Sequence, residues 1–408
     1  MALEIKKAHL KRRVWWASIG LLAVVTASVF TSWLLYQKLT APAIVDIPVV
    51  VVKLPETQKI SSNVLFLGNT YWGRYINDWS MASSLQYAYP FSRLGEFDRA
   101  KYDAWITGLE CPTVTGVQVS SSVEDDTLQF NCSPSYLPEA AKWFTAFTLA
   151  NNHTDNQGEE GFVETKLHLD ENGIQYFGHY EPRSTGDNCE IISLPVTVTK
   201  DDGAVSKGSL PVAMCGYHGV FRIPDADAVA EMAQYSPYMP VIAMPHMGAE
   251  YKSEADSIKT DFYRSLIDGG ADMVIGDHPH WIQNSESYNG HLIVYSMGNF
   301  LFDQQYNTEV TRSAGINVVM NTNGGEASDL DAWLALGPSC SVFKDTCLSE
   351  IKSQGLTKLN INYQFGVVGT NDSDRIVKPA TPDQQASILQ RLNWQSTITG
   401  LRPPYASL

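Results

Sequence analysis

The sequence predicts an α/β domain that follows a single N-terminal transmembrane helix. From Val64 onward, short apolar runs typical of buried strands alternate with helical segments, which is the order of an α/β sheet. The N-terminal region instead contains 23 consecutive uncharged residues, from Val14 to Tyr36, enough to cross a hydrocarbon layer of about 30 Å. We therefore expect a cytoplasmic tail over residues 1–13, an anchor over 14–36, a linker over 37–60 and one domain over 61–408.

The charges on either side of the anchor predict its orientation. It is preceded by five basic residues, namely Lys6, Lys7, Lys11, Arg12 and Arg13. Only Lys38 follows it closely, and an excess of basic residues marks the cytoplasmic side of a membrane helix. A cleaved signal peptide is the alternative, but the apolar region of a signal peptide runs only about 7–15 residues. The sequence thus favours an uncleaved single-pass anchor in the cell membrane, with the domain outside the cytoplasm.

Composition describes a globular chain and excludes one class of partner. The 408 residues carry a net charge of -15, whereas nucleic-acid binding requires clustered Lys and Arg, so we expect no nucleic acid partner. The hydrophobic fraction of 44% and the charged fraction of 18% are those of an ordinary globular protein. The linker holds three prolines and no helical period, so we expect it to be extended.

Six cysteines lie beyond the anchor, and their even number outside the cytoplasm indicates disulfides. Six cysteines allow fifteen pairings. Cys340 and Cys347 bracket the short loop CSVFKDTC and are the first pair we expect. Proximity along the chain also suggests the pairs Cys111–Cys132 and Cys189–Cys215. Free buried thiols are the alternative for these last two pairs.

Eight apolar runs predict the strands of the domain, and one charged segment predicts a helix. The runs span residues 64–68, 104–110, 144–153, 174–178, 211–219, 240–248, 271–277 and 292–300. The segment GEEGFVETKLHLDENG lies between the third and fourth runs, and Gly173 near its end is a typical helix stop. This alternation supports the α/β class.

Reactive side chains gather just after these predicted strands. They are Asn69, Glu110, Asn152, His153, His246, His278, His280 and Asn299. The ends of the strands of an α/β sheet converge on one edge, where ligands bind. In GADMVIGDHPHWIQ, residues 270–283, two histidines one residue apart follow an apolar run. A solvated turn would explain this stretch alone, but the whole set favours a metal site, because imidazoles presented together are common metal ligands.

Several motifs resemble those of one known family. GNTYWGR, ITGLECP, LANNHTDNQGEEGF, MPHMGAEY, GDHPHWIQ and VYSMGNFLFD occur here in the order found in the poly-γ-glutamate capsule synthesis family of the CapA type. That family is a branch of the calcineurin-like metallophosphoesterase superfamily. The resemblance runs from about Val64 to Asp303, and the combination of NNH, HPH and SMGNF is more specific than any one of these motifs.

The resemblance implies a four-layer α-β-β-α sandwich with metal ions at the strand ends. It assigns metal ligation to Asn69, Glu110, Asn152, His246, His278 and His280. It also makes His153 the group that protonates a leaving oxygen and Arg74 a binder of an anionic oxygen. Neutral imidazole and carboxylate ligands suit one or two divalent ions of zinc, manganese or iron.

Two departures from the family pattern weaken the predicted site. This chain has Asn69 where the family usually has Asp, and Gly108 where the family usually has Asn. Two divalent ions about 4 Å apart repel each other by about 17 kcal/mol at an effective dielectric of 20, so anionic ligands matter. Glu110 is then the only carboxylate among the expected ligands. We therefore expect one ion, or two with a weak second site.

Two functions follow from this interpretation. The first is a membrane-anchored, metal-dependent hydrolase that acts on an anionic surface polymer or its precursor. The second is a non-catalytic scaffold of a capsule-synthesis complex with a degraded metal site. In either case the expected partners are the polymer, the membrane through the N-terminal helix, and other capsule-synthesis membrane proteins. The sequence favours a polymer-handling role and leaves catalysis open.

Overall fold

The computed structural model describes Trp15 and residues 23–36, 57–322 and 325–408. The chain divides into two compact units, Met1–Leu54 and Pro55–Leu408. In the second unit the first strand begins at Thr57, four residues before the start we expected for the domain.

The predicted anchor is described only in part. Its residues 23–36 are helical with exposed side chains, whereas Val14 and residues 16–22 lie outside the described residues. The predicted cytoplasmic tail and residues 37–56 of the predicted linker also lie outside them. Among the residues that are described, no helix is both long enough and apolar enough to span a membrane.

The second unit is a mixed α/β structure. Its strands are β1 (Thr57–Thr70), β2 (Ala104–Leu109), β3 (Ala146–Thr148), β4 (Gln175–Phe177), β5 (Cys189–Lys200), β6 (Val205–His218), β7 (Val241–His246), β8 (Met273–Ile275), β9 (Ser285–Tyr288), β10 (His291–Val294), β11 (Asn299–Leu301), β12 (Arg312–Thr322), β13 (Gly325–Glu326), β14 (Ile361–Asn371), β15 (Lys378–Pro379) and β16 (Tyr405–Ser407). Its α-helices are α1 (Arg74–Ala82), α2 (Ser121–Thr127), α3 (Leu137–Ala140), α4 (Gly158–Glu171), α5 (Ala226–Met232), α6 (Ser257–Asp268), α7 (Ala327–Val342), α8 (Lys344–Ser353), α9 (Pro382–Arg391) and α10 (Trp394–Gly400).

Strand β1 joins all the strands into one hydrogen-bonded network. The main order is β15-β14-β12-β1-β5-β6-β7-β8-β10-β9, and β2, β3 and β4 form a side branch from β1. With 14 residues, β1 is long enough to pair with a strand of the main order and with a strand of the branch. Its segment Gln58–Ser61 pairs with β5, and its later part, from Val64 to Thr70, pairs with β2. The predicted α/β class is therefore confirmed.

The branch formed by β2, β3 and β4, called the first layer below, lies close to the β5–β8 part of the network, called the second layer. A Cβ on Gly216 in β6 would lie 2.5 Å from Thr148 Oγ1 in β3, so only glycine permits this approach. A Cβ on Gly108 in β2 would lie 3.8 Å from Oδ2 of Asp277, which follows β8. Because these strands are not hydrogen-bonded neighbours, the contacts run between two layers, and the strand ends of both layers meet.

Apolar side chains hold the layers together in two buried clusters. The first contains Val212, Ile242 and Val274 from adjacent strands β6, β7 and β8. The second is rich in aromatic rings and includes Trp105 and Phe147 from β2 and β3. Each fully buried side chain of this size contributes about 1.5–3 kcal/mol relative to exposure, so the clusters provide a rigid base for the strand ends.

Most predicted strands exist, with different lengths. The predicted helix after residue 157 is α4, and Gly173 follows it with a φ of 67°. The run 144–153 contains only the three residues of β3, because the chain turns away at the motif LANNH. The run 292–300 divides into β10 and β11. The long strands β5, β12 and β14 lie outside every predicted run.

All three predicted disulfides are present. Cys189–Cys215 joins β5 to β6 at directly paired positions. Cys111–Cys132 ties the segment after β2 to a later loop, and Cys340–Cys347 joins α7 to α8. Every cysteine of the chain is therefore oxidised, which fits a location outside the cytoplasm.

Candidate metal centre

The side chains expected to bind metal come together where the two layers meet. Asn69 lies near the end of β1, Glu110 directly follows β2, and His246 is the last residue of β7. His278 and His280 follow β8. These five residues are all buried. Strands β1, β2 and β3 are parallel to one another, as are β6, β7 and β8, so each layer delivers its strand ends to the same edge.

Three of the side chains form a first group of touching donor atoms. His246 Nε2 lies 2.9 Å from Asn152 Oδ1 and 3.1 Å from His278 Nδ1. Burial lowers the pKa of His246 far below its usual range, and the charge of His278 lowers it further. Burial likewise lowers the pKa of His278 far below its usual range. Both rings are therefore neutral near pH 7, which is the form that binds metal.

The spacing within this first group fits a metal ion. Nitrogen and oxygen ligands about 2.1 Å from one ion lie roughly 3.0 Å apart around an octahedral ion and roughly 3.4 Å apart around a tetrahedral one. The two separations, 2.9 and 3.1 Å, are closer to the octahedral value. The group therefore presents an amide oxygen and two imidazoles in an arrangement that a single ion could share.

His280 belongs to a second group. Its Nδ1 donates to Asn299 Oδ1 at 2.8 Å, which leaves the lone pair on Nε2. That Nε2 lies 3.8 Å from Glu110 Oε1 and 3.9 Å from Glu250 Oε1. Burial lowers the pKa of His280 to about 4, so the ring is neutral and these contacts are not ion pairs. Asn299 thus orients His280 with Nε2 toward the carboxylates.

The loop that carries the two histidines is strained. His278 has a φ of 96° and His280 a φ of 59°, both in the left-handed region that side chains with a Cβ disfavour. Such positions cost about 1–3 kcal/mol each and cluster at functional sites. The loop is held in place because the amide of Tyr251 donates to the carbonyl of Pro279 at 2.9 Å. The surrounding fold therefore stabilises a conformation that the loop alone would avoid.

Unpaired acceptors at the same place support a cation. Within the described chain, the buried oxygen atoms without a hydrogen-bond partner include Asn69 Oδ1, Glu110 Oε2 and both carboxylate oxygens of Asp277. An unpaired buried acceptor costs about 1–3 kcal/mol and a charged one more. An ion held by Asn69 and Glu110 would satisfy the first two of these atoms.

The histidine and carboxylate side chains alone do not form a complete metal site; the side-chain amides of Asn152 and Asn69 are also needed. In residues 57–322 and 325–408, no three His, Cys, Asp or Glu side chains converge as a set that could hold one ion. His246 and His278 require Asn152 as a third ligand, and His280 with Glu110 requires Asn69. The donor set therefore fits a metal only when its uncharged amide oxygens take part.

Two carboxylates that sequence reasoning missed lie at this centre. Asp277 directly precedes His278, and Glu250 follows His246 in MPHMGAEY, so both were visible beside recognised motifs. Burial raises the pKa of Asp277 well above its usual range. The backbone amide of His278 and the charge of Lys259 lower the Asp277 pKa, but burial outweighs them. Burial raises the pKa of Glu110 well above its usual range, and the charge of Asp277 raises it further.

The guanidinium of Arg74 already forms an ion pair with a carboxylate of the same chain. Its Nε and Nη2 donate to the two carboxylate oxygens of Asp303 at 2.9 and 2.7 Å. Its guanidinium carbon lies 4.7 Å from the ring centre of Phe130. Burial lowers the pKa of Arg74, but the charge of Asp303 and the hydrogen bonds to it, together with smaller contributions from Tyr71 and Asp125, make the net shift upward. To bind an anionic oxygen as predicted, Arg74 would have to open this ion pair.

His153 is placed near the centre but carries no proton to donate from Nε2. Its Nδ1 donates to Asn156 Oδ1 at 3.0 Å, and its ring packs 4.1 Å from that of Phe130. Burial lowers the pKa of His153 to about 4, so the neutral ring has a free lone pair on Nε2. An anionic substrate beside it would raise this pKa. The predicted role as proton donor therefore depends on such a substrate.

His218 is a further imidazole that sequence reasoning missed. It is the last residue of β6 and pairs in register with His246. Its Nδ1 donates to the carbonyl of Tyr180, while Nε2 is buried with no partner in the described chain. The motif GYHG at the end of a predicted strand was the available signal.

The fold and this site define a mixed α/β protein with a candidate metal centre between two strand layers. The family model described as "Bacterial capsule synthesis protein PGA_cap" matches residues 63–200 and 221–304, and the chain belongs to this family. The resemblance seen in the motifs is confirmed. All the residues assigned by it lie inside the matched ranges, whereas His218 lies outside them.

Two relatives from Bacillus have similar sequences. The chain is 27% identical over 286 residues to the PGA biosynthesis protein CapA of Bacillus subtilis (strain 168), an alignment that covers 66% of this chain and 71% of the relative. It is 27% identical over 195 residues to the capsule biosynthesis protein CapA of Bacillus anthracis, covering 46% of this chain and 47% of the relative. These names indicate an association with the cell envelope.

Proposed function

We propose that this chain is a membrane-anchored protein outside the cytoplasm that acts in the synthesis or export of an anionic surface polymer of the capsule type. Support comes from its family and from the two relatives, one named for PGA biosynthesis and one for capsule biosynthesis. The polymer or its precursor is the substrate, and other capsule-synthesis membrane proteins are the partners. The three disulfides are consistent with a location outside the cytoplasm.

We further infer that the domain is a metal-dependent hydrolase. The observation that carries this inference is the contact of His246 Nε2 with Asn152 Oδ1 and His278 Nδ1 at 2.9 and 3.1 Å. Asn152, His246 and His278 would hold one ion, and Asn69, Glu110 and His280 a second. An ion of zinc, manganese or iron supplies Lewis acidity and lowers the pKa of water at such a site.

The chain's own residues supply the remaining chemistry. An anionic substrate raises the pKa of His153, so that Nε2 takes a proton from water and donates it to the leaving oxygen. Asn156 fixes the orientation of that ring through Nδ1. Next to Arg74 lies a polar cavity of about 500 Å³, lined in part by Asn131 and Ser133. A cavity of this size accommodates a segment of a polar polymer, and because neither His153 nor any proposed metal ligand lines it, that segment would lie beside the centre and not in it.

The stacked layers also suggest the family's architecture. Helix α7 packs on β5 and β6, while α4 packs on β4 of the other layer. We infer that helices cover both outer faces, which would give the four-layer α-β-β-α sandwich implied by the resemblance. A crystal structure with only one helix-covered face would contradict this inference.

Metal analysis combined with an assay tests the hydrolase. The full chain, purified in detergent, is analysed for bound zinc, manganese and iron and assayed on a generic phosphodiester and a γ-glutamyl anilide. We expect at least one ion per chain and hydrolysis of one of the two substrates. His278→Ala should lose the ion assigned to Asn152, His246 and His278, and hydrolysis with it, whereas His291→Ala, which alters a histidine bonded to the carbonyl of Asp272, should retain the metal content and the activity of the wild type.

The alternative function is a non-catalytic scaffold. It is favoured by Asn69 and Gly108 and by the failure of three charged or imidazole ligands to converge within the described chain. A scaffold would bind the capsule complex without requiring metal. If the His278→Ala chain restored capsule to cells that lack the wild-type protein, the scaffold would replace the hydrolase.

The membrane anchor has its own test. The proposal rests on the uncharged residues from Val14 to Tyr36 and the basic residues before them. Protease added to intact cells should remove the domain and spare a short N-terminal fragment. Recovery of a soluble form that begins near Ala43 would instead indicate cleavage.

A further inference from the structure

A polar cavity of about 700 Å³ lies apart from the proposed metal ligands and is lined by two arginines, Arg312 and Arg391. Arg312 is the first residue of β12, and Arg391 is the last residue of α9. Uncharged polar side chains, among them Ser387 and Asn393, form other parts of its wall. All four residues lie outside the ranges that the family model matches, so membership of the family assigns them no role.

A single carboxylate contacts both arginines. Glu309 Oε1 lies 2.6 Å from Arg312 Nη2, and Glu309 Oε2 lies 2.9 Å from Arg391 Nη1. Arg312 Nη1 also donates to Ser387 Oγ. Two guanidiniums and one carboxylate leave a surplus of one positive charge. Glu254 lines the same cavity, but its side chain is exposed, so water screens its negative charge.

Arg312 has a donor that the described part of the chain does not use. The residue is only 8% exposed, and its Nε is buried without a hydrogen-bond partner among the described residues. A buried donor on a charged group is costly to leave unpaired. A guanidinium presents five N–H donors in a planar fork that matches the oxygens of a carboxylate. The surplus charge and the unpaired donor therefore both favour an anionic oxygen in this cavity.

The wall of the cavity is continuous with the loops of the candidate metal centre. Asn284, which lines the cavity, follows four residues after His280. The carbonyl oxygen of Arg312 lies 3.2 Å from the position of a Cβ on Gly298. Gly298 directly precedes Asn299, which orients the ring of His280. A polymer segment held in the cavity would therefore lie close to the centre.

We propose that this cavity is a binding site for carboxylate groups of the anionic polymer, in addition to the cavity next to Arg74. The inference rests on the proposed function, because it takes that polymer as the substrate. Glu309 shows how the two arginines accept a carboxylate, since each of its oxygens contacts one guanidinium. A carboxylate of the polymer takes donors that Glu309 leaves unused, and it neutralises the surplus charge.

Binding of a fluorescent γ-linked glutamate oligomer to the full chain in detergent tests the proposal. The titration is made in EDTA, so that no metal ion contributes to the affinity. Arg391→Gln should weaken binding about ten- to one-hundredfold, the effect of losing a hydrogen bond between charged groups. Arg391→Lys keeps the charge but not the planar fork, and should lose less. The side chain of Arg391 is 23% exposed, and the melting temperature of each variant shows whether it is folded.

Glu309→Gln provides a test in the opposite direction. It removes the carboxylate that contacts both guanidiniums and should tighten binding of the oligomer about tenfold. A residue that only supported the fold would not strengthen binding when it is altered. The matched control is the pair Arg264–Glu286, whose Nη2–Oε2 distance is 2.7 Å and which does not line the cavity. Arg264→Gln and Glu286→Gln make the same changes of charge and should leave the affinity unchanged.

Each contrary outcome has a defined meaning. Equal affinity of the wild type, Arg391→Gln and Glu309→Gln would overturn the site, and so would a wild type that does not bind the oligomer. An equal loss in Arg264→Gln and Arg391→Gln would overturn it too, because net charge and not this cavity would then govern binding. Tighter binding of inorganic polyphosphate of the same length would overturn the assignment to carboxylates. None of these results decides the proposed hydrolase, which the metal content of the wild type and of His278→Ala tests separately.

Discussion

Arg74 and Asp303 form a buried ion pair with two parallel hydrogen bonds, Nε to Oδ2 at 2.9 Å and Nη2 to Oδ1 at 2.7 Å. The exposed fractions of the two side chains are 6% and 1%. Asp303→Asn should therefore lower the free energy of unfolding by about 3–5 kcal/mol, because it leaves the buried guanidinium only the half-exposed carboxylate of Asp125, 3.3 Å from Nη1. Urea unfolding followed by fluorescence measures this loss.

The exposed pair Arg93–Glu96 is the control for that prediction. Its Nε–Oε1 distance is 2.6 Å, yet both side chains are largely in water. Glu96→Gln should leave the unfolding midpoint nearly unchanged, since exposed ion pairs contribute little. Equal effects of the two substitutions would mean that the Arg74 pair is solvated and free to bind an anion.

A disulfide that closes a longer loop should contribute more to the free energy of unfolding than one that closes a shorter loop. Cys340 and Cys347 are 7 residues apart and Cys189 and Cys215 are 26 apart. On the chain-entropy model the first bridge contributes about 2.5 kcal/mol and the second about 3.5 kcal/mol. Thermal unfolding of the two paired Cys→Ala variants should show the larger loss for Cys189–Cys215. The reverse order would mean that native packing, not loop closure, sets their contributions.

His280 should make stability depend on pH in the absence of metal. Its pKa is about 4 in the folded chain and about 6.5 when unfolded. Because the folded-state pKa is depressed, the contribution of neutral His280 to the free energy of unfolding is complete above pH 6.5. That contribution is lost as the pH falls toward 4. Relative to His280→Gln in EDTA, the wild type should lose about 3 kcal/mol across this window. A difference that is constant with pH would contradict the buried neutral ring.

Asn299 should control metal affinity without contacting the ion. Its Oδ1 accepts the Nδ1 proton of His280 at 2.8 Å and thereby directs Nε2 toward Glu110. Loss of such an orienting partner typically weakens metal binding about 10- to 100-fold. Calorimetric titration of Asn299→Ala with Zn²⁺ should show this decrease, and Asn299→Asp, which retains an acceptor oxygen, should largely retain affinity. Unchanged affinity in Asn299→Ala would refute the orienting role.

The residues of the candidate centre could be predicted from sequence because each stands next to a recognisable strand. Asn69, Glu110 and His246 end or follow apolar runs, and parallel strands deliver their ends to one edge whatever the detailed packing. The disulfide pairs were predicted for a related reason, since all three are local in sequence. Strands β12 and β14 carry no reactive motif, and β12 pairs with β1 over about 250 residues, a separation at which local pattern has no influence.

The α/β class, the family and the set of side chains that gather at the strand ends follow from the order of the residues along the chain. Which of those side chains are paired and which are not depends on the folded structure. It tied Arg74 to Asp303, and it left the oxygens of Asp277 buried without a partner in the described chain. The reason is physical: local periodicity and motifs specify which residues enter a strand or the loop after it, whereas hydrogen-bond partners and burial depend on how distant layers pack against each other.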